Sequence, residues 1–162
     1  MVIIRRAKSA DMQQLLMLWH EMMDAHKGMH PDFRVANSAN LAISTNFMTL
    51  LDGPSGAIIV AESEGRIVGM LLAQTKVGLP YSQTRLSGYI RDVAVTKEFR
   101  RRGIGKQLVD EAIKFLKSQN VEYIDLITGT ANETSNEFWE AMDFKESLKI
   151  RTMWFIPNED AE

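Results

Sequence analysis

The sequence contains no cysteine. Disulfides, thiolate metal sites and a cysteine nucleophile are therefore excluded. Its formal net charge at neutral pH is only -2. That balance argues against a protein that binds nucleic acid over a broad surface. The N-terminus, Met1-Val2-Ile3-Ile4-Arg5-Arg6, has no apolar run long enough for a signal peptide, and no stretch approaches a membrane span. A cytoplasmic location with no membrane partner is the expectation. Internal repeats, low-complexity segments and an interdomain linker are also missing.

The 162 residues are 45% hydrophobic and 25% charged, which suits one globular domain with a sizeable core. Against the small net charge, Arg100, Arg101 and Arg102 form a local cluster. An apolar extended run, Val93-Ala94-Val95, precedes them after Ser87-Gly88-Tyr89-Ile90-Arg91-Asp92. Gly103, Ile104, Gly105 and Lys106 follow, and then Leu108, Val109, Ala112, Phe115 and Leu116 recur at helical spacing. The stretch reads as a strand, a basic glycine loop and a helix N-terminus. The first N–H groups of a helix lack intrahelical partners, and the helix dipole makes that end positive. Glycines let the backbone turn and approach a ligand closely. A phosphate suits such a place. A solvated helix start is the plainer reading of the loop alone.

Two phosphate-binding patterns fail. Gln107 stands where the Walker loop needs Ser or Thr, with Arg100 at its first glycine; Leu108 stands where the dinucleotide fingerprint needs its third glycine.

Along the chain, residues 2–7 read as a first strand. Ser9 or Asp11 can cap a helix whose stripe is Met12, Leu15, Leu16, Trp19, Met22 and Met23. Gly28 and Pro31 end it. A second helix starts at Ser38 or Asn40, with Leu41, Phe47, Met48 and Leu51 inward, and stops at residues 52–56. Residues 57–62 and 67–74 form an antiparallel hairpin about the turn 63–66. After a loop at Gly78, Pro80 and Ser82 comes the strand 86–95. Asn120 ends the central helix, and residues 121–128 form a strand parallel to 86–95, because a helix crosses between them. Thr134 and Glu137 fit a capping box for a short helix carrying Phe138, Ala141 and Met142. Residues 144–156 return as a last strand or strand pair, and 157–162 form an acidic tail.

The loop Arg100-x-x-Gly103-x-Gly105, the segment Asn132-x-x-Ser135-x-x-Phe138-Trp139-Glu140-x-x-Asp143-Phe144 and the element order together resemble the GNAT superfamily of N-acetyltransferases over residues 2–156. Trp139 and Asp143 depart from it, standing where tyrosine and glycine are usual. The resemblance implies a single-domain α/β (α+β) fold of order β-α-α-β-β-β-α-β-α-β, with a central mixed, mostly antiparallel sheet and a splayed parallel strand pair. It implies transfer of an acetyl group from acetyl-CoA, as co-substrate, directly to an amine acceptor. No metal and no nucleic acid are expected, and a homodimer is among the assemblies it allows. The coenzyme would lie against Val93, Ala94 and Val95, against Arg100, Arg101, Arg102, Gly103, Ile104, Gly105 and Lys106, and against Asn132 and Phe138. Asn132 reads equally as a helix cap. The Val93 N–H would polarise the thioester carbonyl.

An ammonium acceptor near pKa ~10.4 must lose a proton before it attacks. Asp92 is the candidate base, with a structural polar contact as its other reading. On strict alternation Asp92 shares a face with Ile90 and Ala94, and Tyr89 and Arg91 lie opposite. At Trp139 the indole N–H cannot act as an acid near neutral pH. Water, Tyr81, Tyr89 or Tyr123 would then protonate the leaving thiolate, or catalysis is weak. His26, His30, Asp32, Tyr81 and Arg85 are candidates for the acceptor side; each reads singly as a solvated loop residue. His26 and His30 have metal-ligand spacing, but Gly28 and Pro31 break the helix that a metal pair would need. A noncatalytic acyl-CoA-binding module, and a nucleic-acid-binding domain using Arg100 to Arg102, are the other function classes. The net charge and the glycine spacing count against the second.

Overall fold

A computed structural model describes residues 1–153 and 155. Strand β1 (Val2–Arg6) is followed by helices α1 (Met12–Ala25) and α2 (Ala39–Asp52). Strands β2 (Gly56–Ser63), β3 (Arg66–Val77) and β4 (Leu86–Val95) come next, then helix α3 (Ile104–Ser118), strand β5 (Ile124–Asp125) and helix α4 (Glu133–Ala141). The five strands form one sheet in sequence order, β1-β2-β3-β4-β5. Every neighbouring pair is antiparallel except β4 and β5, which are parallel. Among the described residues no helix is long and apolar enough to cross a membrane.

Strand β2 is buried along most of its length because both sheet faces are covered. Ala57, Ile59 and Ala61 point into one core, with Leu108, Val109, Ala112 and Leu116 of α3 and Trp139 of α4. Ile58 and Val60 point into the other, with Leu15, Leu18, Met22 and Met23 of α1 and Phe47 and Leu50 of α2. An apolar run thus serves two layers at once.

Several expectations need correction. In α2, Leu41 and Met48 face outward, with exposures of 77% and 39%. Leu50 takes the inward place, three residues after Phe47, as one helical face requires. The strand read at 121–128 is reduced to Ile124–Asp125. Among the described residues of 144–156 there is no strand; the end of that segment and the acidic tail lie outside the described residues. The cap of α4 is Asn132, whose Oδ1 accepts the Ser135 N–H at 3.2 Å, while Thr134 sits inside the helix. Asp11 occupies the position before α1, but its carboxylate turns back to Arg5 and to the Lys8 N–H.

That turn makes a testable contact. Arg5 reaches Asp11 through Nη1 at 2.7 Å and Nη2 at 2.9 Å, and Glu62 through Nε at 2.7 Å. The hydrogen bond from Arg5 holds the Asp11 carboxyl below its ordinary value of 3.8, ahead of the opposing cost of burial. A lowered native pKa contributes stability above the unfolded pKa, and that stability is lost as pH falls through the native one. Asp11→Asn is expected to cost about 2 kcal/mol at neutral pH. Urea unfolding should show the deficit shrinking below about pH 4.

Candidate active site at the open edge of strand β4

Strand β4 is regular on its β3 side and interrupted once. Leu72 pairs with Asp92 and Ala73 with Ile90, so Arg91 is the extra residue of a β-bulge. The bulge changes which backbone groups face outward. Before it, the Gly88 N–H donates to the Tyr123 carbonyl on the β5 side. After it, the Thr96 N–H donates to the Val68 carbonyl on the β3 side. Alternate residues of an antiparallel ladder bond the same neighbour, so Ala94 and Asp92 also turn their backbone groups to β3. Val93 and Val95 are left facing the other way. Among the described residues no strand covers them there, because β5 pairs only with Gly88 and Tyr89. The Val95 carbonyl is reached instead by Arg100 Nε at 2.8 Å. The result is a gap flanked by the Val93 and Val95 backbone, which no strand among the described residues pairs. Ala94, grouped with the two valines by sequence, does not contribute its backbone to it.

The bulge also moves side chains. Directly paired residues share a sheet face. Asp92 and Ala94 pair with Leu72 and Met70 and so face α1 and α2, whereas Ile90 pairs with Ala73 and faces α3. Asp92 therefore does not share a face with Ile90. It shares one with Tyr89, which alternation had placed opposite. Burial pushes the Tyr89 phenol above its usual range, and the Asp92 charge pushes it the same way, with Asp125 adding less. Lys76 Nζ sits over the Tyr89 ring at 4.1 Å from its centre. Asp92 Oδ2 accepts from Arg91 Nε at 3.0 Å. A phenol and a carboxylate thus stand together beside the gap.

Beyond β4 the chain turns sharply into helix α3. Arg101 has φ 62° and Gly103 φ 76°, both left-handed, while Arg100 between Val95 and Arg101 has φ -65°. Two left-handed residues so close together let the backbone turn sharply from the strand into the helix. Gly103 is the N-cap of α3, and the N–H groups of Ile104 to Lys106 begin that helix. A Cβ built on Gly105 would meet only the Phe138 ring, at 3.5 Å, an ordinary contact. Nothing in the fold forbids a side chain at 105. Its absence leaves the backbone open to a ligand, with the Phe138 ring alongside.

The basic side chains are partly engaged. Arg102 lies over Phe99 at 5.0 Å, and Lys106 pairs with Asp110 at 2.7 Å. Glu21 of α1, which sequence reasoning missed, accepts the Lys97 N–H at 3.2 Å and lies 3.8 Å from Arg100 Nη2. Its partners are more than seventy residues away, so no local pattern could mark it. Trp139 is 8% exposed and packs edge-on between Phe138 and Phe144 in the α3-side core.

On the acceptor side the candidates are dispersed. His26 Nδ1 meets the Met22 carbonyl at 2.8 Å, and its ring stacks on Phe33. His30 lies 3.5 Å from Asp32. Tyr81 is 85% exposed. The Arg85 N–H donates to Glu122, at the start of the β4–β5 pairing.

Residues 15–144 match the model of the acetyltransferase (GNAT) family. An N-acetyltransferase of Archaeoglobus fulgidus is 24% identical over 88% of this chain and 92% of its own length. A Bacillus halodurans protein of known structure superimposes with a TM-score of 0.82 at 22% identity, over 95% of this chain and 99% of that one. An aminoglycoside N-acetyltransferase solved with CoA superimposes with a TM-score of 0.72 at 19% identity, over 95% of this chain and 94% of that one. The two structural matches bear on fold alone.

Proposed function

The chain belongs to the GNAT acetyltransferase family and is an acetyl-CoA-dependent acetyltransferase, and from that premise we propose that it acetylates a primary amine in the gap beside β4. One observation carries this reading. Beyond the bulge at Arg91, the outward backbone of Val93 and Val95 has no strand partner among the described residues, immediately before a left-handed glycine loop. The coenzyme supplies the acetyl group as a thioester. Main-chain N–H groups from Arg101 to Lys106 hold its pyrophosphate, and Val93 and Val95 bond its amide arm as a neighbouring strand would. The Val93 N–H stabilises charge developing on the thioester oxygen. Asn132 spends Oδ1 on its helix cap, which leaves its amide N–H groups for the ligand.

Asp92 receives the proton of the ammonium acceptor, directly or through one water. Tyr89 shares its face and is protonated at neutral pH, as a phenol ordinarily is, and burial moves its pKa further up. That makes it the donor for the departing thiolate. Trp139, enclosed by Phe138 and Phe144, takes no part in proton transfer. Trp139→Phe is expected to leave turnover within about tenfold, since neither ring is an acid at neutral pH. Single-turnover transfer at matched coenzyme occupancy checks it; a thousandfold loss with binding and folding intact would give the indole N–H a catalytic role.

The experiment that tests the function follows thiol release from acetyl-CoA across polyamines, aminoglycosides, peptide N-termini and lysine peptides, with mass detection of product. Acetyl-CoA at about 100 times its dissociation constant should stabilise the fold by about 2.7 kcal/mol. A folded protein whose melting temperature ignores millimolar acetyl-CoA would refute the reading.

A further inference from the structure

We propose that Glu21 of α1 is a positioning residue for the coenzyme: it holds the segment that carries β4 into the loop 101–106, and so keeps that loop in its ligand-binding conformation. The role rests on that loop being the pyrophosphate site proposed above. The segment is fixed at both ends. At one end Thr96 is buried, and its N–H donates to the Val68 carbonyl at 2.9 Å. At the other, Ile104 enters the α3-side core with 2% exposure. Between them the chain makes a short helical turn, Lys97–Phe99, and then passes through the left-handed Arg101 and Gly103. Lys97, Glu98 and residues 100–103 are exposed. A stretch with so few buried contacts depends on side chains that reach it from elsewhere.

Among the described residues, two side chains from other elements reach it by hydrogen bond. Arg66 Nη1 donates to Glu98 Oε2 at 3.0 Å, but both side chains are exposed and such a pair contributes little. Glu21 Oε1 accepts the Lys97 N–H at 3.2 Å, and so fixes backbone. The same oxygen lies 3.8 Å from Arg100 Nη2, and Arg100 Nε donates to the Val95 carbonyl beside the gap. Glu21 thus meets the turn at its start and at its end. Its mounting is rigid: Leu18 and Met22, on either side of it, are buried between α1, α2 and the sheet. Gln14, two turns earlier on the same helix face, serves β3 in the same way, with Oε1 accepting the Ile67 N–H at 2.8 Å. Charge alone gives Glu21 the opposite effect, because a carboxylate repels a pyrophosphate nearby. Positioning and repulsion therefore predict opposite signs when the carboxylate is removed.

Calorimetric titration of coenzyme A into the full chain tests this, with Glu21→Ala, Glu21→Gln and Gln14→Ala as variants. Glu21→Ala should bind about three- to tenfold more weakly, because only a fraction of its loops is in the competent conformation. Glu21→Gln keeps an oxygen for the Lys97 N–H and drops the charge, so it should bind within about twofold of wild type or more tightly. Gln14→Ala should lower the melting temperature and leave binding unchanged. Turnover of Glu21→Ala at saturating acetyl-CoA should equal wild type, with the loss confined to the KM for acetyl-CoA. Amide exchange over residues 97–103 of the ligand-free protein should quicken in Glu21→Ala and not in Glu21→Gln. Unchanged or tighter binding by a folded Glu21→Ala overturns the proposal. So does a Glu21→Gln or a Gln14→Ala that binds as weakly as Glu21→Ala. A Glu21→Ala that does not fold overturns it too, since Glu21 would then serve the whole fold. A wild type that binds no coenzyme A refutes the assignment of the loop itself, and the positioning role with it.

Discussion

Gly105→Val is expected to weaken coenzyme A binding at least about a hundredfold while the protein stays folded. The two halves of that result have separate causes. For the fold, Gly105 has no left-handed φ, and a Cβ there meets the Phe138 ring at an ordinary 3.5 Å. Glycine is also the poorer helix former, so Gly105→Ala should be neutral or gain up to about 1 kcal/mol. For the ligand, helical Cβ atoms tilt toward the helix N-terminus, which is where the proposed pyrophosphate site lies. A branched side chain there displaces the pyrophosphate from the N–H groups. Losing two charge-assisted hydrogen bonds of about 1.5–3 kcal/mol each gives the hundredfold or more. Arg101→Gly is the control. It removes an exposed, screened charge and relieves a left-handed φ of 62°. It should cost less than about tenfold in binding. Calorimetric titration with coenzyme A, beside thermal melts, separates these outcomes. Normal binding by a folded Gly105→Val would mean that the loop is no phosphate cradle.

Asp92→Asn should lower turnover by about 100- to 10,000-fold, the usual range for a positioned proton acceptor. Asparagine keeps the shape and cannot take the proton. Coenzyme binding should be unchanged, because Asp92 turns its backbone to β3 and its side chain to α1 and α2, away from the cradle. A purely structural Asp92, held only for its 3.0 Å bond from Arg91, predicts something else. Stability would fall, while the pH dependence of kcat/KM would keep its shape. Retention of the wild-type acid limb in Asp92→Asn therefore removes the base assignment. Tyr89→Phe supplies the partner measurement. A loss confined to the thiolate step should be smaller with an acyl donor whose thiol is more acidic.

The sequence alone determined the parts that rest on local spacing. The helical stripe of Leu108, Val109, Ala112, Phe115 and Leu116 is buried as its periodicity requires. Gly103, where the sequence lets the backbone turn into the helix, is the left-handed cap of α3. The parallel pairing of β4 and β5 follows from the helix that crosses between them. Other features depend on contacts that no local pattern carries. A bulge at Arg91 is set by the β3 partner, and it reverses the alternation that assigned Asp92 to the face of Ile90. Glu21 meets Lys97 and Arg100 only after α1 docks on the sheet. Strand β5 shortens to Ile124–Asp125 because pairing with β4 stops before the bulge. Residues 144–153 have a strand's alternation but pair with no neighbour among the described residues. Periodicity states which side chains can share a face; only a paired strand decides which face, and where the pairing ends.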